Sequence, residues 1–346
     1  MSRPRIADVA KAAGVSPTTV SHALSGHRPV SEEVKAKVEA AVQRLGYRAN
    51  VLAQGLRTQR TQTVALIVPD ITNPFYPVVA RGVQDAISDA GYQVVVCSTD
   101  GEAAREAAFL RDMLARSVDG LIIDLFRTPP VELAAMIDPH TPVVMLGPMP
   151  APVEGVADRV VGDDRVSVAE ATRHLLRDGR RRIAFAGASP GVGPSDLRRL
   201  GYEDALLGAG LTLDPGLVIE CDYTRPAARA AMTEALAGGR DVDAVVCAND
   251  LAAIGVLDAL HQAGRDVPHD VAVIGFDDID AAELVRPALT TVDNRAYEKG
   301  TVCGRLLLQR ITGELDGPAR EIVVPGAFKV RESAPAISLP AQRSSS

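Results

Sequence analysis

Tryptophan is absent from this 346-residue sequence, and only 3% of the residues are aromatic, whereas 47% are hydrophobic. The cores must therefore be built from aliphatic side chains, and the length is enough for two or three domains. The sequence has no apolar run of the roughly 18 residues that cross a membrane, and no N-terminal signal peptide. We therefore expect no membrane partner and a location in the cytoplasm.

Cysteine is scarce, and its four copies form no C-x-x-C motif. Cys97, Cys247 and Cys303 stand in apolar or mixed surroundings, which predicts buried thiols, whereas the polar neighbours of Cys221 leave its environment open. The six histidines contain no pair at metal-ligand spacing. We therefore expect neither a metal site nor a cofactor.

Catalytic motifs are missing as well. The glycine-rich stretch GASPGVGPSD at 187–196 has neither the Lys-Ser/Thr of a phosphate-binding loop nor the third glycine of a dinucleotide turn. The motifs G-x-S-x-G and H-E-x-x-H do not occur. Because no catalytic constellation is present, we expect a protein that is not an enzyme.

Charge of both signs is present but unevenly distributed. Residues 1–60 contain ten Lys or Arg against four Asp or Glu, a net charge of +6, whereas the rest of the chain contains 27 against 40, a net charge of −13. A basic segment joined to an acidic body indicates that the segment binds a polyanion.

The basic segment contains helix signals only. A first helix is predicted over 6–12, a second begins at Pro17 with Ser16 as its cap, and a third runs from a cap at Ser31 to a stop at Gly46. Two helices joined by a short glycine-containing turn are typical of a helix-turn-helix, although plain helical hairpins share this pattern.

The second helix has few residues to bury. Val20 and Leu24 form an apolar pair at i, i+4, whereas Thr18, His22 and Ser25 line up on the opposite side. Polar side chains in this arrangement can hydrogen-bond the base edges of a DNA major groove.

From Thr63 onward, apolar runs alternate with amphipathic helices. The predicted strands are VALIV, YQVVVC, GLIID, PVVML, RIAFAG, LVIE, DAVVCA and VAVIGF. Continuous β-branched runs separated by helices are typical of buried parallel strands. We therefore predict two doubly wound α/β lobes with a cleft between them rather than one barrel.

Ligands of open α/β sheets bind beyond the carboxyl ends of the strands. In this sequence Asp70, Asn249 and Asp277 follow predicted strands. We expect Asp250 to cap the helix that begins at 251, and Asp278 or Asp280 to cap the helix near 281–285. This would leave Asn249 and Asp277 to face the cleft.

Several stretches in one order resemble the lactose-repressor/galactose-repressor (LacI/GalR) family of transcriptional regulators. The segment IADVAKAAGVSPTTVSHALSGHRPVSEEVKAKVEAAVQRLGYRANVLAQGLR is similar to the family's DNA-binding head and hinge. NPFYPVVARGVQDA, RRLGYEDAL, CANDLAAIG and VAVIGFDDID follow in the expected order. The resemblance covers about residues 5–336, and the ordered set is much more specific than a helix-turn-helix alone.

The resemblance implies an N-terminal all-α helix-turn-helix head and two doubly wound α/β lobes that resemble periplasmic sugar-binding proteins. The implied segments are a head at 1–48, a hinge at 49–62 and a body at 63–346, with an N-lobe of 63–161 and 293–324 and a C-lobe of 162–292 and 325–340. The family dimerises through its lobes. The tail of this chain has no leucine heptads for a tetramer, so a homodimer is expected.

The function implied by the resemblance is that of a sequence-specific repressor of transcription. It would bind double-stranded operator DNA with an affinity that a small-molecule effector between the lobes controls. A sugar is favoured, because a carboxylate and a guanidinium suit vicinal hydroxyls, and a purine is the alternative. Two other classes stay open: a cytoplasmic sugar-binding protein, which the basic head disfavours, and an α/β enzyme with an accessory DNA-binding head, which the missing motifs disfavour.

Carried over by position, the resemblance assigns two sets of contact residues. The residues expected on DNA are Ser16, Pro17, Thr18, Thr19, Ser21, His22, Asn50, Leu56 and Arg57. The residues expected at the effector are Phe75, Tyr76, Arg198, Tyr223, Asn249, Asp277 and Asn294. Within the DNA set, Pro17, Thr18 and His22 would read bases, and Leu56 would wedge into the minor groove. His22 replaces an arginine found in many members, and Asn294 a common glutamine.

Overall fold

The computed structural model describes residues 4–25, 28–47, 60–116, 118–137, 140–147 and 157–335. The chain divides into two compact units, residues 1–61 and 62–346. Each unit has hydrophobic clusters of its own.

The described part of the first unit contains three helices, namely α1 (Ile6–Ala13), α2 (Pro17–Ser25) and α3 (Glu32–Leu45). Each helix contributes one completely buried valine, Val9, Val20 or Val38, to the shared core. Leu24 is 40% exposed, so its predicted pairing with Val20 in the core is wrong. The reason is that α2 turns Val20 and Ala23 toward α1 and α3, which leaves Leu24 beyond the edge of this small core.

The helix ends in this unit follow the predicted signals. The backbone N–H of Thr19 donates to Ser16 Oγ at 3.0 Å, and that of Val34 donates to Ser31 Oγ at 3.4 Å. Gly46 ends α3 in the left-handed conformation, where a side chain would be strained.

The second unit contains two parallel sheets. The first sheet has the strand order β11-β5-β4-β3-β1-β2 and the second the order β7-β6-β8-β9. The strands of the first are β1 (Thr63–Val68), β2 (Gln93–Ser98), β3 (Gly120–Ile123), β4 (Val143–Leu146), β5 (Asp158–Val161) and β11 (Glu321–Val323). Those of the second are β6 (Ile183–Gly187), β7 (Val218–Glu220), β8 (Ala244–Cys247) and β9 (Ala272–Ile274). The predicted α/β class with two parallel sheets is confirmed.

Helices cover both faces of each sheet. They are α4 (Phe75–Ile87), α5 (Ala103–Ala115), α6 (Pro130–Met136) and α12 (Ala296–Thr312) on the first sheet, and α7 (Asp164–Arg177), α8 (Ser195–Gly208), α9 (Arg225–Ala237) and α10 (Asp250–Gln262) on the second. The helices α4 and α12 pack so closely at Gly300 that a Cβ there would collide with the carbonyl of Val79. The absence of a side chain at Gly300 therefore permits this packing.

The chain passes between the sheets three times, after β5, before α12 and after β11. A separate antiparallel pair, β10 (Thr291–Asp293) with β12 (Ala327–Lys329), lies along two of these passages. Among the strands that the structure describes, β5, β10, β11 and β12 have no counterpart among the predicted strands. They are short, and three of them have only three residues.

The cysteines lie as predicted. Cys97, Cys247 and Cys303 are buried, and Cys221, whose environment the sequence left open, is half-buried. Burial raises the pKa of each thiol above its ordinary value, to about 11 for Cys221.

Candidate functional site

A cavity of about 430 Å³ is lined by residues that follow the strands of both sheets. They come from the ends of β1, β3 and β4 in the first sheet and of β8 and β9 in the second. Parallel strands align their carboxyl ends, so residues far apart in the chain meet at this edge. All seven predicted effector residues line the cavity: Phe75, Tyr76, Arg198, Tyr223, Asn249, Asp277 and Asn294.

Arg198 on α8 is buried beside this cavity. Its Nε donates to Asp164 Oδ2 at 2.7 Å, its Nη1 donates to the carbonyl of Ala248, and its guanidinium lies 3.8 Å from the ring centre of Phe276. Burial lowers the pKa of Arg198, but the carboxylates of Asp164 and Asp277 outweigh that effect and keep the pKa above its ordinary value. The side chain is therefore a fixed cation in one orientation.

Asp277 follows β9 in a strained backbone conformation, with a φ of 116°. A non-glycine residue in this region costs about 1–3 kcal/mol and is held there by its surroundings. The backbone N–H of Asp277 donates to Val292 at 2.9 Å, and Asn294 Nδ2 donates to its Oδ1 at 3.0 Å. Burial raises the pKa of Asp277 to about 6, although Arg198 opposes the rise.

Seven charged residues outside the predicted effector set also line the cavity, and three of them are Asp124, Asp164 and Lys299. Asp124 follows β3 and accepts a hydrogen bond from the hydroxyl of Tyr76 at 2.9 Å, and burial raises its pKa to about 7. Lys299 on α12 is 4% exposed and donates to Asn294 Oδ1.

The sequence carries a signal for two of these three residues. Asp124 is the last residue of a predicted strand, and Asp70 and Asp277 stand just after the ends of theirs. Lys299 shares a helix face with Cys303 and Leu307, which are buried, so a lysine interrupts an apolar stripe there. Asp164 is the second of two consecutive aspartates at the start of α7, a pattern equally typical of helix capping.

Aromatic rings form two walls of the cavity. The rings of Phe75 and Tyr76 meet edge to face with centres 5.2 Å apart, and those of Phe126 and Tyr223 are tilted with centres 5.2 Å apart. The Tyr223 hydroxyl accepts from the backbone N–H of Ser195 and donates to a backbone carbonyl, so the ring is fixed. Such walls suit the apolar faces of a small ligand.

Phe126 is held by the buried carboxylate of Glu106 on α5. Glu106 accepts the backbone N–H of Phe126 at 2.8 Å, the backbone N–H of Thr128 at 2.7 Å and the hydroxyl of Thr128 at 2.6 Å. Glu106 is completely buried. Glu106 therefore anchors three consecutive residues of the loop that carries Phe126.

The predicted helix caps at this edge are wrong. Asn249, not Asp250, caps α10, because Asn249 Oδ1 accepts from the backbone N–H of Ala252 at 2.8 Å. The buried carboxylate of Asp250 instead accepts from the hydroxyl of Thr291 at 2.6 Å and the backbone N–H of Ile279 at 2.9 Å. Asn249 lines the cavity all the same.

The caps predicted for the next helix are also wrong. Asp278 forms ion pairs with Arg331 at 2.7 Å and Lys329 at 3.1 Å. Asp280 precedes the short helix α11 (Ala281–Leu284) without a capping hydrogen bond. The long basic side chains on the last passage between the sheets compete successfully for the Asp278 carboxylate.

The candidate DNA-contact residues of the first unit lie along α2. Ser16, Pro17 and Thr18 are exposed, and Thr19, Ser21 and His22 are half-buried. The hydroxyls of Ser16 and Thr19 lie 2.8 Å apart in a hydrogen bond. Asn50, Leu56 and Arg57 lie outside the described residues, so their predicted contacts stay predictions.

Among the residues with described positions, no helix is both long and apolar enough to span a bilayer. The same residues contain no group of three or more His, Cys, Asp or Glu side chains arranged to hold a metal ion.

Each of the two units matches a known protein family. Residues 5–50 match the description "Bacterial regulatory proteins, lacI family", and residues 172–334 match "Periplasmic binding protein-like domain". The chain is 36% identical to the ribose operon repressor of Escherichia coli strain K12 over 88% of this chain and 92% of that one. It is 39% identical to the HTH-type transcriptional regulator CelR of Thermobifida fusca over 96% and 98% of the two chains.

A solved structure supports the same assignment. The structure of a transcriptional regulator CelR-cellobiose complex has 36% identity to this chain and a TM-score of 0.72, and the match covers 96% of this chain and all of that one. The basic helical unit, the two parallel sheets and these relatives all indicate the same family. The chain belongs to the lacI family of bacterial regulatory proteins and is a DNA-binding transcriptional regulator.

Proposed function

We propose that this regulator is a cytoplasmic repressor that acts as a homodimer on a pseudo-palindromic operator and responds to a sugar bound in the cavity. The proposed segments are the head at 1–48, the hinge at 49–62 and the effector-binding body at 63–346. The observation that carries the proposal is the convergence of seven predicted effector residues on one cavity at the strand ends of the two sheets.

The proposed DNA interface is the exposed side of α2. Thr18 offers a hydroxyl and a methyl group, and His22 offers ring nitrogens that can donate to a purine N7 or a guanine O6. Ser16, Thr19 and Ser21 would contact phosphates, which hold the helix in register but carry no sequence information. The net charge of +6 on residues 1–60 supports this polyanion contact.

A sugar is the effector class that the cavity favours. Carboxylates, a guanidinium and amides alternate around it, while aromatic rings supply apolar walls. The names of the relatives point the same way, since one is a ribose operon repressor and another was solved with cellobiose. A purine would need hydrogen bonds to ring nitrogens, and Asn249 is already committed to a helix cap and to the carbonyl of Tyr223.

The effector would act through the relative angle of the lobes. A ligand shifts an equilibrium only by its difference in affinity for the two arrangements, and the cavity has walls from both sheets. The change would determine whether two hinge segments can meet and fold on DNA. In that state Leu56 would wedge into the minor groove, while Asn50 and Arg57 contact the backbone.

The experiment that tests the proposal begins with selection of preferred sequences from a random DNA library. Fluorescence anisotropy then measures the affinity of the full chain for the selected sequence and for random DNA, with and without ribose, cellobiose and other sugars. We expect a preference of about 10³ or more for the selected sequence and a clear shift with one sugar. Equal affinity for both DNAs would contradict the proposal.

The hinge has its own test. Leu56→Ala is expected to weaken operator binding and reduce DNA bending while sugar affinity stays nearly unchanged. Amide exchange of residues 51–57 with and without operator is the direct measurement. Protection that is equally strong without DNA would rule out folding on binding.

A further inference from the structure

Lys299 lines the cavity and has few partners for its charge. Its side chain is 4% exposed and, within the described part of the chain, makes one hydrogen bond, to Asn294 Oδ1. It forms no ion pair with any residue that the structure describes. An ammonium group has three donors, and buried donors are nearly always paired. Because Lys299 lines the cavity, its remaining donors are available to a ligand.

Acceptors face the same space. Each of Asp124, Asp164 and Asp277 accepts a hydrogen bond through one carboxylate oxygen, leaving the other oxygen without a donor in the described part of the chain. All three line the cavity. A ligand here meets unpaired acceptors and unpaired donors together.

Gly162 brings one acceptor and one donor to the same place. A Cβ on this glycine would lie 2.5 Å from Asp164 Oδ1 and 2.7 Å from Lys299 Nζ, so both head groups pack over bare backbone. They still do not pair with each other. A group that donates to Asp164 and accepts from Lys299 can bridge them, and a hydroxyl does both, whereas phosphate and carboxylate oxygens only accept.

The charge of the cavity argues in the same direction. Three basic residues and six aspartates line the cavity, and they include the buried Arg198 and Lys299 and the carboxylates of Asp164 and Asp277. An anionic ligand placed against Lys299 would add a further negative charge beside Asp164 and Asp277. Repulsion between buried like charges is strong because water screens it poorly.

We infer that Lys299 is a specificity-determining residue of the effector site, which holds a hydroxyl oxygen of an uncharged polyol and, together with the surrounding carboxylates, excludes phosphorylated and carboxylated sugars. This inference rests on the proposed effector function and narrows its ligand class.

Titration calorimetry on the full chain tests the charge selectivity with matched pairs of sugars. The pairs are ribose with ribose 5-phosphate, glucose with glucose 6-phosphate, and cellobiose with cellobionate. We expect at least one neutral member to bind and its anionic partner to bind about 100-fold more weakly or worse. An anionic member that binds as tightly as its partner overturns the inference, and so does the absence of binding by every neutral sugar.

Operator affinity is measured on the same preparation by anisotropy. Loss of sequence-specific DNA binding would contradict the proposed function, whereas anion binding with intact DNA binding would contradict only the present inference.

Substitution separates a ligand contact from a structural role. Lys299→Met keeps the length of the side chain and removes its donors, so the affinity for the neutral sugar should fall about 10- to 100-fold. The matched control is Arg305→Met, because Arg305 is exposed on the same helix, and it should change the affinity less than about twofold. Equal losses in both variants overturn the assignment.

Deoxy sugars complete the test, and their first measurement uses only the unaltered protein. One deoxy analogue should lose affinity for the unaltered protein because it lacks the hydroxyl that contacts Lys299. In Lys299→Met the same deoxygenation should cost almost nothing, since the contact is already gone. If no single deoxygenation weakens binding to the unaltered protein, the hydroxyl contact does not exist.

Discussion

The Nε atom of Arg198 lies 2.7 Å from Oδ2 of Asp164, and the two side chains are only 6% and 4% exposed. The pair joins α7 to α8 at the wall of the cavity. Two buried charges are costly to desolvate, so the pair as a whole is weak evidence that it stabilises the fold. Each charge nevertheless depends on the other, because a buried charge without its partner is strongly unfavourable.

Removal of one partner of this pair should therefore strongly destabilise the folded protein. Asp164→Ala leaves a buried guanidinium without its carboxylate, and we expect the free energy of unfolding to fall by about 3–5 kcal/mol. Urea denaturation followed by circular dichroism measures this change.

The exposed pair Arg165–Asp204 is the control, with an Nε–Oδ2 distance of 2.6 Å and side chains 52% and 41% exposed. Asp204→Ala should change the free energy of unfolding far less than Asp164→Ala does, because water screens an exposed pair. Similar losses in the two variants would show that burial does not set the contribution of the Arg198–Asp164 pair.

Glu106 should influence ligand affinity from outside the cavity lining. Glu106→Gln keeps the size of the side chain but replaces one acceptor oxygen with a donor facing backbone N–H groups. We expect the free energy of unfolding to fall by about 1–3 kcal/mol. Sugar affinity should also fall, because Phe126 loses its fixed position against Tyr223. Denaturation and calorimetry measure the two effects, and a stability loss with unchanged sugar affinity would separate the loop from the site.

Sugar affinity should rise with pH through the range of the raised carboxyl pKa values. Hydroxyl donors prefer an ionised acceptor, and the pKa is about 6 for Asp277 and about 7 for Asp124. Between pH 5 and pH 8 we expect the association constant of a neutral sugar to increase about tenfold or more. Asp277→Asn should remove the part of this rise centred near pH 6. An unchanged profile in that variant would exclude Asp277 from contact.

The unliganded protein should show the opposite trend. The pKa of Asp277 is higher in the folded state than its ordinary value of 3.8, so the folded state binds the proton more tightly. Its contribution to the free energy of unfolding is fully present below about pH 4 and is lost as the pH rises through about 6. Comparing the pH dependence of stability in Asp277→Asn with that of the unaltered protein isolates this contribution.

Thr18 and His22 should carry sequence discrimination. Alanine at either position is expected to cost about 1–3 kcal/mol on the selected operator and little on random DNA. Anisotropy titrations at several salt concentrations measure both affinities, and the slope of log affinity against log salt should stay nearly the same in these variants. Equal losses on both DNAs would reassign the residues to phosphate contact.

The local features of this fold can be read from the sequence. Ser16, Ser31 and Gly46 act at helix ends as predicted, because capping depends on neighbours only a few residues away. The alternation of apolar strands with helices is also a pattern of near neighbours in the chain, and it predicts parallel sheets. Once the strands are parallel, their polar end residues must share one edge, and Asp277 therefore lines the predicted cavity.

Tertiary structure alone decided which of several partners each polar side chain has. Asp250 had an available backbone N–H in its own helix, but Thr291 and Ile279 reach its carboxylate, and Asn249 takes the cap. Leu24 is apolar and regularly spaced, yet a three-helix core is too small to cover it. These outcomes depend on competition between groups far apart in the chain, and short-range spacing contains no information about the competitor.

The same reason applies to the cavity. The family pattern selects Arg198 and Asp277, but the passage of the chain back to the first sheet places Lys299 beside Asn294 and over Gly162. Burial then turns an ordinary lysine into a donor that lacks enough partners. The sequence determined the two kinds of site, and the packing of α12 against the first sheet decided the charge and hydrogen-bonding pattern that a ligand meets.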